Sequence, residues 1–164
     1  MTCKLIHGDC IEEMQKLIEE GVRVDLTVTS PPYDNLRNYN NSLNWDFDIF
    51  KQVANRLYGI TADGGVVVWI VNDATIDGSE TGTSFRQALY FKEIGFNLHD
   101  TMIYQKSGIP FPEQVRYYPV FEYMFILSKG KPIPQDLQLT KKQNQNNVST
   151  KLIYSLSQRY TSYL

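Results

Sequence analysis

This chain of 164 residues has little cysteine, few histidines, almost no net charge and no long apolar run. Two cysteines, Cys3 and Cys10, are too few for a disulfide scaffold and too far apart for a CxxC site, so they read as reduced thiols in a reducing compartment. His7 and His99 are isolated, with no His-x-x-His or Cys/His cluster, and no metal site is expected. No stretch approaches the roughly 18 apolar residues of a membrane span. The amino terminus leads into a charged helix rather than an apolar signal core, which makes the expected location cytoplasmic. No internal repeat is visible, and the length suits one domain of the usual size.

What charge there is lies unevenly. Residues 1–100 hold 8 basic and 15 acidic side chains, whereas 101–164 hold 8 basic and 3 acidic together with 10 of the 21 aromatics. Cations with interleaved rings are what a nucleic-acid face uses, since ammonium and guanidinium groups meet phosphates and rings stack on bases. Many ordinary domains are as lopsided, so the asymmetry alone decides nothing.

The hydrophobic pattern alternates strand and helix. Residues 4–7 read as a short strand closed by Gly8-Asp9, after which Ile11, Met14, Leu17 and Ile18 mark a helix that stops at Gly21. Asp9 with Glu12 three residues on fits an N-terminal cap. The β-branched run Val24-Asp25-Leu26-Thr27-Val28-Thr29 ends at Ser30-Pro31-Pro32-Tyr33, where two prolines stop ladder pairing. A polar loop follows. Phe47, Phe50, Val53, Ala54 and Leu57 then predict a second helix, closing near Gly59. Val66-Val67-Val68-Trp69-Ile70-Val71 predicts a strand buried on both faces. Phe85, Ala88, Leu89 and Phe91 predict a third helix, and residues 97–104 and 120–127 two more strands. From Gly130 the character changes. Lys131-Pro132-Ile133-Pro134 breaks regular structure, residues 140–150 are a Gln/Asn/Lys-rich tract, and a poorly ordered tail is expected over 132–164. This is an α/β pattern whose strand ends present loops to ligands.

Ser30-Pro31-Pro32-Tyr33 carries the chemistry. The prolines fix φ and leave carbonyls without ladder donors, so these face outward as acceptors. An exocyclic amine on a base is a poor nucleophile because its lone pair is delocalised into the ring. Accepting its hydrogens, by the Ser30 hydroxyl and the Pro31 carbonyl, favours a tetrahedral, attack-ready nitrogen and steadies the charge that develops during methyl transfer. Tyr33 is suited to stack on the base. The plainer alternative is a strand terminator with an exposed tyrosine.

With these residues in view, the sequence resembles the permuted, beta-type DNA amino-methyltransferases of bacterial and phage modification systems. Gly8-Asp9-Cys10, a helix, and the strand ending in Thr29-Ser30-Pro31-Pro32-Tyr33 are similar to the family's opening. Gly64-Gly65-Val66-Val67-Val68-Trp69-Ile70 resembles its glycine-led central strand, Ile94-Gly95-Phe96 a further family string, and residues 116–129 its segment ending in Glu-Tyr, an apolar run and Ser-Lys. The likeness covers about residues 4–131. It implies a partial Rossmann-like methyltransferase fold, a mostly parallel sheet with flanking helices, S-adenosylmethionine as cofactor and a base flipped out of double-stranded DNA. It implies that Asp9, Cys10 and Ser30 face the cofactor, that Ser30, Pro31, Pro32 and Tyr33 form the catalytic motif, and that Tyr33, Arg116 and Tyr117 lie near the base. Asp9 keeps its helix-cap alternative and Arg116 that of a solvated charge. Ser at the head of the tetrapeptide is usual for cytosine-N4 enzymes, and Asp or Asn for adenine-N6 enzymes, the alternative here. Asn-Pro-Pro-Tyr marks glutamine-modifying protein methyltransferases, and Ser30 argues against them. Neither cysteine follows a proline, which argues against attack through a cysteine nucleophile.

One family feature is missing. The Phe-x-Gly-x-Gly cofactor loop expected after the recognition region does not occur in residues 132–164, so the sheet is expected to lack the strands and glycine loop of that part and the cofactor pocket to be incomplete. The expected division is a partial catalytic domain over 1–131 and a polar or aberrant tail over 132–164. A truncated and inactive remnant, one half of a split enzyme completed by a second polypeptide, and a fragment all fit this pattern.

Overall fold

The computed structural model describes residues 3–33, 45–106 and 120–132, and the backbone of 152–156. Helix α1 (Cys10–Glu19) precedes strand β1 (Val24–Ser30), and α2 (Phe47–Ile60) runs directly into β2 (Thr61–Val71). A short hairpin of β3 (Thr75–Ile76) and β4 (Ser79–Glu80) leads to α3 (Thr83–Glu93), then β5 (Asn97–Gln105), β6 (Phe121–Ser128) and β7 (Leu152–Leu156). The main sheet has the order β5-β6-β2-β1-β7.

Helices α2 and α3 start and stop where the chemistry says they should. Asp46 caps α2 by accepting from the Asp48 and Ile49 amides at 2.9 and 2.8 Å. Its apolar stripe, Phe50, Val53, Ala54, Leu57 and Ile60, is buried. Phe50, Val53, Ala54 and Leu57 pack with Ala88 and Phe91 of α3 against Val67, Trp69 and Val71 of β2 and Phe125 and Leu127 of β6. Phe50, Trp69 and Phe91 meet edge to face at centroid distances of 5.1–5.8 Å. Trp69 is fully buried, and its indole N–H donates to Gln87 Oε1 at 2.8 Å, which explains a glutamine inside this core.

Four of the five strands of the main sheet run the same way, as expected of a mostly parallel sheet: β1 pairs in parallel with β2 and β7, and β6 alone is reversed, pairing antiparallel with both β2 and β5. Three expectations change. Residues 4–7 form no strand and pair with none of the strands of the sheet, and Leu5 is left 94% exposed. The central strand is not buried on both faces. Val67, Trp69 and Val71 are buried under the helices while Val66, Val68 and Ile70 are only half-buried. Finally, residues 152–156, within the stretch expected to be a poorly ordered tail lacking sheet strands, form β7 and pair along Leu26–Ser30. Leu152-Ile153-Tyr154 with Leu156 is a short apolar run with β-favouring Ile and Tyr, and it follows a long polar tract that carries no strand signal.

Gly64 and Gly65 lie inside β2, just before its apolar run, for a steric reason. Gly64 has φ +79°, and a Cβ on Gly65 would sit 2.9 Å from Ala62 O and 3.0 Å from Val24 O. The pair forms an irregularity in β2 opposite Val24 and Leu26, tied to Lys129 by backbone bonds of 2.7 and 3.0 Å.

Candidate functional site

Strands β1 and β2 are parallel neighbours, so their carboxyl ends lie together, and β5 runs the same way as β2 across the antiparallel β6. One edge of the sheet therefore carries Ser30 at the end of β1, Asn72 and Asp73 after β2, Lys106 after β5 and Glu122 at the start of β6. This is the edge at which open α/β sheets bind ligands.

Four of its side chains form one chain of hydrogen bonds. The Ser30 hydroxyl and the Tyr33 hydroxyl are 2.8 Å apart, Tyr33 Oη donates to Glu122 Oε2 at 2.9 Å, and Lys106 Nζ meets Glu122 Oε1 at 2.6 Å. Pro31 and Pro32 between them are buried, Pro32 almost fully, which anchors the turn on the core and leaves Ser30 exposed at the rim. Tyr33 is half-buried, and Glu122 retains 14% of its side-chain exposure against 40% for Lys106. A carboxylate at this depth is tolerated because both of its oxygens have partners.

Beside this cluster, Asp73 organises the start of α3. Its Oδ1 accepts from the Ser84 amide at 2.8 Å and its Oδ2 from the Ser84 hydroxyl at 2.5 Å. Gly82 at the N-cap has no side chain to offer, so a carboxylate nine residues earlier satisfies the helix end instead.

Asp9 is the cap of α1: its Oδ1 accepts from the Ile11 and Glu12 amides at 2.9 and 3.3 Å. Among the described residues its carboxylate has no other partner. Cys10, the first residue of that helix, carries a thiol whose pKa is raised, first by loss of solvation and then by the Asp9 charge. It is a poorly activated thiol. Among the described residues no group of His, Cys, Asp and Glu is arranged to hold a metal ion, and no helix is long and apolar enough to cross a membrane.

An open cleft of about 600 Å³ lies at the opposite end of the sheet, between Tyr58, Gly64, Gly95, Asn97 and Lys129. It is a turn junction. Lys129 Nζ donates to the Tyr58 and Thr61 carbonyls at 3.0 Å each and sits 4.7 Å over the Tyr58 ring, so its cation serves to close the end of α2.

Of the residues singled out in the sequence, the fold places Ser30, Pro31, Pro32 and Tyr33 at the edge of the sheet formed by the carboxyl ends of β1 and β2, and Asp9 and Cys10 at the start of α1. Arg116 and Tyr117 lie outside the described residues, as does the polar loop after Tyr33. Glu122 and Lys106 were not foreseen. The signal available was Glu122 itself, the one charged residue in an otherwise apolar strand.

A family model for DNA methylases of the N6/N4 type matches residues 24–161. The orphan methyltransferase M.BamHII of Bacillus amyloliquefaciens is 61% identical over 124 residues, 76% of this chain and 45% of that protein. Among solved structures, the cytosine-N4-specific PvuII DNA methyltransferase aligns with a TM-score of 0.63 at 19% identity, over 94% of this chain and 57% of that one. The M1.HpyAVI complex with SAM aligns with a TM-score of 0.55 at 21% identity, over 90% and 65%. These structural likenesses show a shared fold. The chain spans about half the length of that curated relative and less than two thirds of either solved chain.

Proposed function

The chain belongs to the DNA methylase family, and from that premise we propose that it carries the base-facing part of an S-adenosylmethionine-dependent DNA amino-methyltransferase, with cytosine N4 as the favoured target and adenine N6 the alternative. The observation that supports this best is the position of Ser30-Pro31-Pro32-Tyr33: a buried proline pair holds an exposed hydroxyl at the carboxyl end of a strand parallel to its neighbour. Ser30 and the Pro31 carbonyl accept the amine hydrogens, Tyr33 lines the base, and the bond to the incoming methyl forms on nitrogen as the amine gives up one proton. When bound, S-adenosylmethionine supplies a methyl group on a sulfonium, which leaves as a neutral thioether. No covalent bond to the protein is needed.

The described residues fit only one side of such a cofactor. Asp9 at the head of α1 is the residue proposed to face its adenine end, with Cys10 beside it, but the sequence contains no Phe-x-Gly-x-Gly string against which the methionine part would lie. The 164 residues are therefore proposed to bind cofactor weakly and to need a second polypeptide, or further chain, for full activity on double-stranded DNA. A calorimetric titration with S-adenosylhomocysteine and a filter assay with tritiated cofactor and DNA test this. Weak or absent binding with negligible turnover is expected; efficient turnover by this chain alone would show that half a pocket is enough.

A further inference from the structure

We propose that β5 is a self-complementary edge through which two copies of this chain pair antiparallel, with Ile103 on the two-fold axis and Asp100 of each copy opposite Lys106 of the other. β5 is an outer strand of the main sheet, with β6 on one side and, among the described residues, no strand on the other. Which of its backbone groups face outward follows from the ladder. The Lys106 amide donates to Val120 O at 2.8 Å, and the β5–β6 register steps from there through Tyr104, Met102 and Asp100, so the backbone groups of these residues face β6. Those of Thr101, Ile103 and Gln105 point the other way, and among the described residues they meet no partner. A row of such groups is a template for another strand.

Edges are commonly blunted by a proline, a bulge or a charge in mid-strand. The register shift of β5 lies between Leu98 and Asp100, and the run from Asp100 to Lys106 after it has no proline and no charge between its two ends. Met102, Ile103 and Tyr104 at its middle are 49–53% exposed. The run is also complementary to itself. Reversed about Ile103, Asp100 meets Lys106, Thr101 meets Gln105, Met102 meets Tyr104, and Ile103 meets its own copy. Opposite side chains in such a ladder are about 4.5–5.5 Å apart at Cβ, and opposite charges, a thioether on a ring and two β-branched residues are favourable pairs at that distance. The Asp100 side chain is 63% exposed, and Lys106, which holds Glu122 at 2.6 Å, has three donors on its ammonium. Centring the pairing on Met102 instead would set Lys106 against Leu98 and lose both ion pairs. With the axis through Ile103 the helices of both copies share one face of the joined sheet. There α3, which packs over β5 and β6, carries its exposed Phe85 and Leu89. The two edges that carry Ser30 face opposite ways.

Sedimentation velocity of the full chain over about a hundredfold range of concentration tests this through mass action. A reversible monomer–dimer equilibrium is expected. Ile103→Pro removes an N–H that faces away from β6, so the chain keeps its own ladder while the pairing loses two bonds at the axis, and the dissociation constant should rise about ten- to a hundredfold. Asp100→Lys and Lys106→Asp each set like charges opposite one another, and each should weaken the dimer. Mixed in equal amounts, these two variants bring opposite charges together at both contacts, and the mixture should associate about tenfold more tightly than either alone, less so in high salt. Chains that were merely misfolded would not rescue one another. A wild-type chain that stays monomeric throughout, variants that associate as the wild type does, or a mixture no tighter than its components each overturns the proposal.

Discussion

Trp69 Nε1 donates to Gln87 Oε1 at 2.8 Å between two side chains that are each about 1% exposed, one on the central strand and one on α3. The pair joins the helix to the sheet at the centre of the core. Gln87→Leu keeps most of the volume but leaves a buried indole N–H without a partner, which costs about 1–3 kcal/mol. Urea unfolding should show a lowered midpoint with an unchanged slope, and a midpoint equal to wild type would mean that the bond adds nothing.

Two glycines give opposite expectations. Gly65→Ala puts a methyl group against the Ala62 and Val24 carbonyl oxygens, which belong to backbone and cannot yield. It should destabilise by about 1–3 kcal/mol. Gly59→Ala lies inside α2 and meets first the far end of the Ile18 side chain, so the gain of up to about 1 kcal/mol in helix propensity is expected to offset the crowding. Thermal melts of the two variants should move apart.

Asp9 separates capping from cofactor binding. Asp9→Ala removes the acceptor for the Ile11 and Glu12 amides and should cost about 1 kcal/mol, whereas Asp9→Asn keeps an equally good cap. Paired calorimetric titrations with S-adenosylhomocysteine then read the second role. If Asn binds the ligand as wild type does, the carboxylate is a cap and nothing more.

The Cys10 thiol is held above its ordinary range by loss of solvation and by the Asp9 charge. Less of it is thiolate at any neutral or mildly alkaline pH, and iodoacetamide should label it more slowly than a small free thiol at pH 8. The folded state holds this proton more tightly than the unfolded chain does. Its contribution to stability is therefore complete below the ordinary thiol pKa and is lost as pH rises through the folded value, and Cys10→Ser should remove that alkaline loss.

Much of this was legible in the residues themselves because it depends on local periodicity and end chemistry. The helical stripe from Phe50 to Leu57, the Asp9 cap, the β-branched run ending at Ser30 and the Gly64-Gly65 pair before the apolar run of the central strand are written within a few positions of one another. That the strand stops in a turn at Ser-Pro-Pro-Tyr could be read on the same grounds, since prolines act on their own backbone. What could not be read there was pairing between distant segments. The antiparallel return of β6, the placing of β7 on the open edge of β1, and the absence of a strand at residues 4–7 belong to the sheet as a whole. In the same way, sequence determined that Ser30 and Tyr33 would share a turn, but only the tertiary structure brought Glu122 across 89 residues to Tyr33. The reason is physical: a turn is set by the dihedral preferences of its own residues, whereas an acceptor on another strand is set by which strands pair.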